Sequence, residues 1–331
     1  MAFYRKTGAE TWHGRIDGAE PDLLRWHQII ICCDTQSIPK LSEHQQGVAI
    51  LGFCCDEGVR LNHGRTGAAH APAAIRSACC NFPLIADHIV MIDAGDVVCD
   101  NHDLEEAQVL MSTHIAKIIS EGFMPIVLGG GHETVLCGFK ALLPLHQKTE
   151  VGIINFDAHF DLREYNATIG GNSGTWAQQI ADTCEASGNP LHYMTLGIQQ
   201  YSNTRRLFEI ATEKGFPYFL AEHFTNDQLS KILQTINGII SNADRLLVTL
   251  DMDVFAAPYA PGVSAVSFNG IAPNAMFKRL LRHIILSGKV TCVDICEVNP
   301  TYDIDNRTSR LAAAFVFDIV QAADINAEYP G

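Results

Sequence analysis

The sequence predicts an α/β fold in which one parallel sheet carries helices on both faces. Two patterns and one absence lead to that reading. Eight short apolar runs recur from residue 47 towards the C-terminus, and stretches with apolar residues at helical spacing lie between them. No Pro/Gly/Ser-rich linker, internal repeat or low-complexity tract divides the chain. Strands alternating with helices are the signature of a parallel sheet covered on both sides. The 331 residues are 47% hydrophobic, enough to bury a large core. The chain therefore reads as a single domain over 1–331, with the irregular residues 1–46 as an N-terminal extension packed on the main body.

In chain order, the expected strands are Gly47–Cys54, Ile89–Val97, Pro125–Gly129 and Val151–Asp157, then His192–Ile198, Tyr218–Ala221, Leu246–Val254 and Val290–Val298. Runs such as VGIINF and RLLVTL are almost wholly apolar, as suits strands buried on both faces. Helices are expected over Leu104–Ser120, with Asp103 as N-cap, and over Asp227–Ile240, Pro273–Leu286 and Arg307–Ala322. Pro273 suits a first helical turn, where its missing N–H costs nothing.

Composition excludes several classes of function. A net charge of −14 argues against nucleic acid, which calls for a basic face. No run approaches the roughly 18 apolar residues of a membrane span. The N-terminus, MAFYRKTGAETWHGRIDGAE, has no apolar signal core, so a cytoplasmic location is expected. Eleven cysteines include three adjacent pairs but no CxxC…CxxC pattern, which argues against a structural zinc site and for buried, reduced thiols.

In open parallel sheets ligands collect beyond the carboxyl ends of the strands. Four apolar runs here end in unusual polar groups. The first, PIVLGGGHE, turns sharply through three glycines to His132; alone, that loop could equally cradle a phosphate. The second, IINFDAHFDLR, places Asp157, His159 and Asp161 at alternate positions, which in extended chain share one side. The third, LLVTLDMDVF, does the same with Asp251 and Asp253. Two carboxylates so close repel one another, and a cation between them removes the conflict. Two histidines and four aspartates suit a pair of divalent ions better than a structural zinc, and oxygen-rich sets favour hard ions such as Mn²⁺. Such a pair lowers the pKa of a bound water towards neutrality.

The fourth segment, VTCVDICEVNP, carries Asp294 and Glu297 at the end of the last expected strand; Glu297 is placed to face the same crevice, where it would suit a planar, cationic N–C–N group. A fifth, DEGVRLNHGRTGAAHAP, is expected to line the entrance, although His63 and His70 have no partner at metal spacing.

With GGGHE, DAHFD, DMDVF and EVNP in this order, the chain resembles the ureohydrolase family of arginase, agmatinase and formimidoylglutamase, from about Gly47 to the C-terminus. The segments WHGRID, DEGVRLNHGRTGAA, DAHFDLR and NSGT make it most like the formimidoylglutamases. The resemblance implies a three-layer α/β/α sandwich around an eight-stranded parallel sheet. It also implies two Mn²⁺ ions on His132, Asp157, His159, Asp161, Asp251 and Asp253, and a homo-oligomer. The implied reaction is hydrolysis of the small-molecule amidine N-formimidoyl-L-glutamate to L-glutamate and formamide. Asp161 and Glu297 would be catalytic, while Arg163, Asn172, Ser173 and Glu297 would hold the substrate. Arginases carry Asn where this chain has Arg163, so the arginine favours a dicarboxylate amino acid. After Ser173–Gly174–Thr175 the formimidoylglutamase pattern continues Pro-Phe, whereas this chain has Trp176–Ala177, a departure expected to bear on substrate choice.

Overall fold

The structure, a computed structural model, describes residues 1–86, 88–143, 149–166, 168 and 170–328. Among the described residues ten strands form one sheet: β1 (Phe3–Arg5), β2 (Ile31–Cys32), β3 (Gln46–Cys54), β4 (Ile89–Val98), β5 (Phe123–Leu128), β6 (Val151–Phe156), β7 (Leu191–Ile198), β8 (Tyr218–Leu220), β9 (Arg245–Asp251) and β10 (Val290–Cys296). The order is β1-β4-β3-β5-β10-β9-β6-β7-β8, with β2 also paired to β4. The expected eight-stranded parallel sheet is thus corrected to ten strands, since β1 runs antiparallel to β4 and β2 joins it in parallel.

Both added strands lie in the N-terminal extension and are pinned from the sheet side. The Trp12 indole donates to Asp93 Oδ2 at 2.7 Å, and the Tyr4 hydroxyl to the Ala94 carbonyl at 2.9 Å. Arg76, 1% exposed, closes the network by pairing with Asp93 and Asp96 at 2.8 and 2.6 Å. A buried guanidinium needs such partners, because an unpaired charge there is costly.

Helices cover both faces. They are α1 (Trp26–Ile29), α2 (Glu57–Leu61), α3 (Ala71–Cys79), α4 (Leu104–Ser120), α5 (Val135–Leu142), α6 (Trp176–Ser187), α7 (Arg205–Glu213), α8 (Leu229–Asn242), α9 (Ala275–Ile285) and α10 (Arg307–Glu328). Side chains from α3, α8, α9 and α10 build one apolar layer, and those from α4, α5, α6 and α7 the other. Strand β3 shows why both layers are needed: Val48 and Ile50 enter one, while Ala49, Leu51 and Phe53 enter the other. Asp103 caps α4 by accepting from the Glu106 amide at 3.0 Å. Pro273 lies outside its helix, because Asn274 is the N-cap of α9, accepting from the Met276 and Phe277 amides. Among the described residues no helix is long and apolar enough to cross a membrane.

Candidate metal centre

Strands β5, β10, β9 and β6 are consecutive neighbours in the sheet; past their tips His132, Glu297 and Asp251 line one crevice, and Asp157 lies buried beside them. His132 follows β5 in a tight turn, Glu297 follows β10, Asp251 ends β9 and Asp157 follows β6. Neighbouring parallel strands lie about 4.8 Å apart, so four adjacent tips gather these side chains over a short span.

The loop geometry differs from the extended alternation expected of DAHFD and DMDVF. β6 stops at Phe156, and Asp161 has a left-handed backbone with φ of +51°. β9 stops at Asp251, and Asp253 sits in the following 3-10 turn, its amide donating to Asp251 Oδ1 at 2.8 Å. The groups converge because the chain bends, and Asn203 fixes that bend: it accepts from the Phe160 amide and donates to the Ala158 and Gln199 carbonyls. Before His132, Gly129 and Gly130 both have φ near +80°, and a Cβ on Gly130 would meet the Phe53 ring at 2.7 Å. Only glycine fits that turn.

Donor atoms fall into overlapping groups, each spanning no more than 4.8 Å: His132, Asp157 and Asp161; Asp157, His159 and Asp253; and His132, Asp251 and Cys296. Asp157 is shared between the first two. His132 Nδ1 lies 3.1 Å from Asp157 Oδ2, 2.9 Å from Asp161 Oδ2 and 3.1 Å from Asp251 Oδ2. His159 Nδ1 is 3.1 Å from Asp253 Oδ2.

The other side of the His132 ring decides what these contacts mean. The Thr249 hydroxyl donates its one proton to Asp294 Oδ1 at 2.5 Å, so its oxygen accepts from His132 Nε2 at 2.9 Å. In the neutral ring that leaves Nδ1 as a lone pair facing three carboxylate oxygens, an arrangement that demands positive charge between them. Burial disfavours charge on His132, yet the groups around it, Asp157 among them, hold its pKa well above the usual value, so without cations that positive charge is a proton on Nδ1. Burial, with Asp253 and Asp157 adding to it, pushes Asp251 well up. The residues present therefore fit a pair of divalent cations, with carboxylates and imidazoles as donors.

Glu297 is buried, also in left-handed backbone with φ of +62°, and its Oε1 accepts from the His132 amide at 3.0 Å. Its Oε2 makes no hydrogen bond among the described residues. Burial first, then the charges of Glu133 and Asp253, raise its pKa well above a normal carboxylate.

A cavity of about 320 Å³ opens over this floor, lined by His132, His159, Asp161, Asp251, Asp253 and Glu297. Its walls carry Asn62, His63, Arg65, Arg163 and Ser173. Arg163 is exposed and forms no ion pair among the described residues. Arg65 instead ties its loop to the carbonyls of Val263 and Ser264. Asn172, expected to hold substrate, is not among the residues lining the cavity; its side-chain oxygen closes a turn by accepting from the Gly174 amide at 3.0 Å. Ser173 does line it, and its hydroxyl accepts from Asn62 at 3.1 Å.

Sequence reasoning missed Thr249, Trp176, Asn203 and Cys296 as parts of the site. Thr249 lies within the quoted run LLVTLDMDVF, where a polar residue in an apolar strand was the available signal. Cys296 packs behind His132, with its thiol 3.6 Å from the Leu250 carbonyl and its pKa pushed well up by burial.

Comparison with known proteins places this arrangement. The model of the arginase family matches residues 46–321. A formimidoylglutamase of Clostridium tetani is 38% identical over 325 residues, covering 96% of this chain and 95% of that protein. One of Aeromonas hydrophila is 40% identical, covering 97% of this chain and all of its own length. Among solved structures, Bacillus subtilis formimidoylglutamase superposes with a TM-score of 0.75 at 21% identity, covering 94% of this chain and 96% of that one. Trypanosoma cruzi formiminoglutamase with Mn²⁺ gives 0.74 at 22% identity, covering 86% and 96%. The fold, the family model and the full-length relatives agree: the chain belongs to the arginase family.

Proposed function

We propose that this protein hydrolyses N-formimidoyl-L-glutamate to L-glutamate and formamide, using two Mn²⁺ ions held by His132, Asp157, His159, Asp161, Asp251 and Asp253. The observation that carries the reading is the pair of donor groups sharing Asp157 beneath a cavity whose wall bears the unpaired Arg163. The full-length relatives named formimidoylglutamase support the substrate. At about 320 Å³ the cavity is of the size that takes a small molecule.

Bound there, the ions would supply an ionised water at neutral pH and a positive field for the developing charge. The chain's own groups divide the remaining work. Glu297 Oε2 accepts from the N–H groups of the formimidoyl end and holds its plane towards the floor. The Arg163 guanidinium donates to a substrate carboxylate and fixes the other end. Asp161 takes the remaining hydroxyl proton once the ionised water has added to the amidine carbon, then delivers it to the α-nitrogen as the C–N bond breaks. One water is consumed, and the products are formamide and the free amine of glutamate.

We also infer a homo-oligomer in a reducing cytoplasm; eleven cysteines without a disulfide support the compartment. The test of the function is a substrate panel on Mn²⁺-loaded protein. Formamide release from formimidoylglutamate, lost in Asp161→Asn, is expected. Urea release from arginine or agmatine as the only activity would refute the assignment.

A further inference from the structure

We propose that Trp176 is a positioning residue for Asp161: its indole N–H holds Oδ2 of that carboxylate in place and leaves Oδ1 as the oxygen that handles the proton. The role of Oδ1 rests on the function proposed above; the hydrogen bond does not.

Trp176 Nε1 donates to Asp161 Oδ2 at 2.7 Å, within the range of a charge-assisted bond. The same oxygen faces His132 Nδ1 at 2.9 Å. Trp176 is 0% exposed and Asp161 8% exposed, so water competes little for the contact. The indole cannot drift, because its ring packs edge-on against Tyr193 at 5.7 Å and beside the His132 ring at 4.9 Å. Tyr193 is itself fixed, its hydroxyl donating to the Phe160 carbonyl and accepting from Asn155 and Thr195. Asp161 needs this support, since its left-handed backbone is a conformation that persists only where the surroundings enforce it. Among the described residues, no other side-chain or backbone N–H donor besides His132 reaches its carboxylate.

The residue type follows from the demand. Indole offers one donor and no acceptor, on a flat apolar body that fills the space behind the carboxylate. Phenylalanine would fill the space without the donor, and glutamine or histidine would bring a lone pair towards an anion. The sequence marks Trp176 as a departure from the usual pattern, expected to alter substrate choice. In the fold it does not line the cavity; it acts on Asp161 from behind.

Trp176→Phe tests the assignment. Mn²⁺ affinity, measured by equilibrium titration of metal-free protein, should weaken about tenfold or more, the usual effect of removing such a partner. On formimidoylglutamate, kcat should fall by a similar factor while KM stays within about twofold. Wild-type affinity and wild-type kcat in a folded variant would overturn the proposal. Should Trp176→Phe fail to fold, the full chain carrying ¹⁵N-indole label gives a second reading, since it contains three tryptophans. One indole N–H signal should exchange slowly with solvent and move in Asp161→Asn; if none moves, the hydrogen bond is absent and the proposal falls. If wild-type protein releases no formamide, the proposed function falls instead, and the indole signals still decide the positioning role.

Discussion

Replacing Thr249 by valine tests whether the His132 ring is held from behind as the geometry indicates. The side chains are nearly isosteric, so the perturbation is the loss of one hydroxyl at a fully buried position. That hydroxyl donates to Asp294 and accepts from His132, so its removal strands two buried polar groups at once. Each stranded group costs about 1–3 kcal/mol, giving about 2–6 kcal/mol together. Asp294 is already under strain, because burial pushes its pKa up to about 6 against the relief it takes from His132 and Thr249. For a chain of this length the loss corresponds to a drop in Tm of about 3–9 °C, read by differential scanning calorimetry on metal-free protein. Mn²⁺ affinity should fall with it, because nothing then fixes the tautomer that leaves Nδ1 unprotonated. Thr249→Ser should restore both quantities. A Thr249→Val protein with wild-type Tm and wild-type metal affinity would refute the reasoning.

Three further outcomes follow from other parts of the molecule. Arg163→Ala should raise KM for formimidoylglutamate about tenfold and leave kcat within about threefold, because a carboxylate contact made equally in ground and transition states affects binding alone; a loss confined to kcat would contradict the role given to this residue. Arg76→Met should destabilise the fold by about 3–5 kcal/mol in urea titrations, since it leaves buried Asp93 with no cationic partner and Asp96 with the exposed Arg5 alone; a change below about 0.5 kcal/mol would mean that the network does not hold the N-terminal strands. His114 stacks on Tyr4 at 4.3 Å and meets the Thr35 hydroxyl, and burial lowers its pKa below 6.5. The unfolded chain therefore takes up the proton first, and stability should decline as pH falls from 6.5 to the lowered folded value. His114→Gln should flatten that part of the profile, and an unchanged slope would exclude His114 as its source.

What could be read from the sequence divides along physical lines. Core strands were legible because burial on both faces makes them nearly continuous apolar runs, and β3, β6 and β10 begin or end within a residue or two of their expected limits. β1 and β2 were not legible: FYR and IC are too short to carry a pattern, and they are strands only because they pair with β4. The short helix α2 lies in a glycine-rich stretch expected to line the entrance, and α3 begins at the end of that stretch. The carboxylates and histidines of DAHFD and DMDVF were conspicuous because charges at buried strand ends need compensation. The reason given for their convergence was extended alternation, whereas the chain bends after Phe156 and again after Asp251. Trp176 and Thr249 illustrate a harder class. Thr249 stands out only as a polar residue in an apolar run and Trp176 only as a departure after NSGT; the three-dimensional neighbours show that an O–H and an N–H point at the site.

The central claim is that two cations occupy the crevice at the tips of β5, β10, β9 and β6. A crystal structure of Mn²⁺-soaked protein, with anomalous difference maps recorded at the manganese edge, addresses it most directly. Two peaks are predicted, one beside His132 and one beside His159, with Asp157 reaching both. A single peak, or density centred among Cys296, His132 and Asp251 with none near His159, would contradict the account.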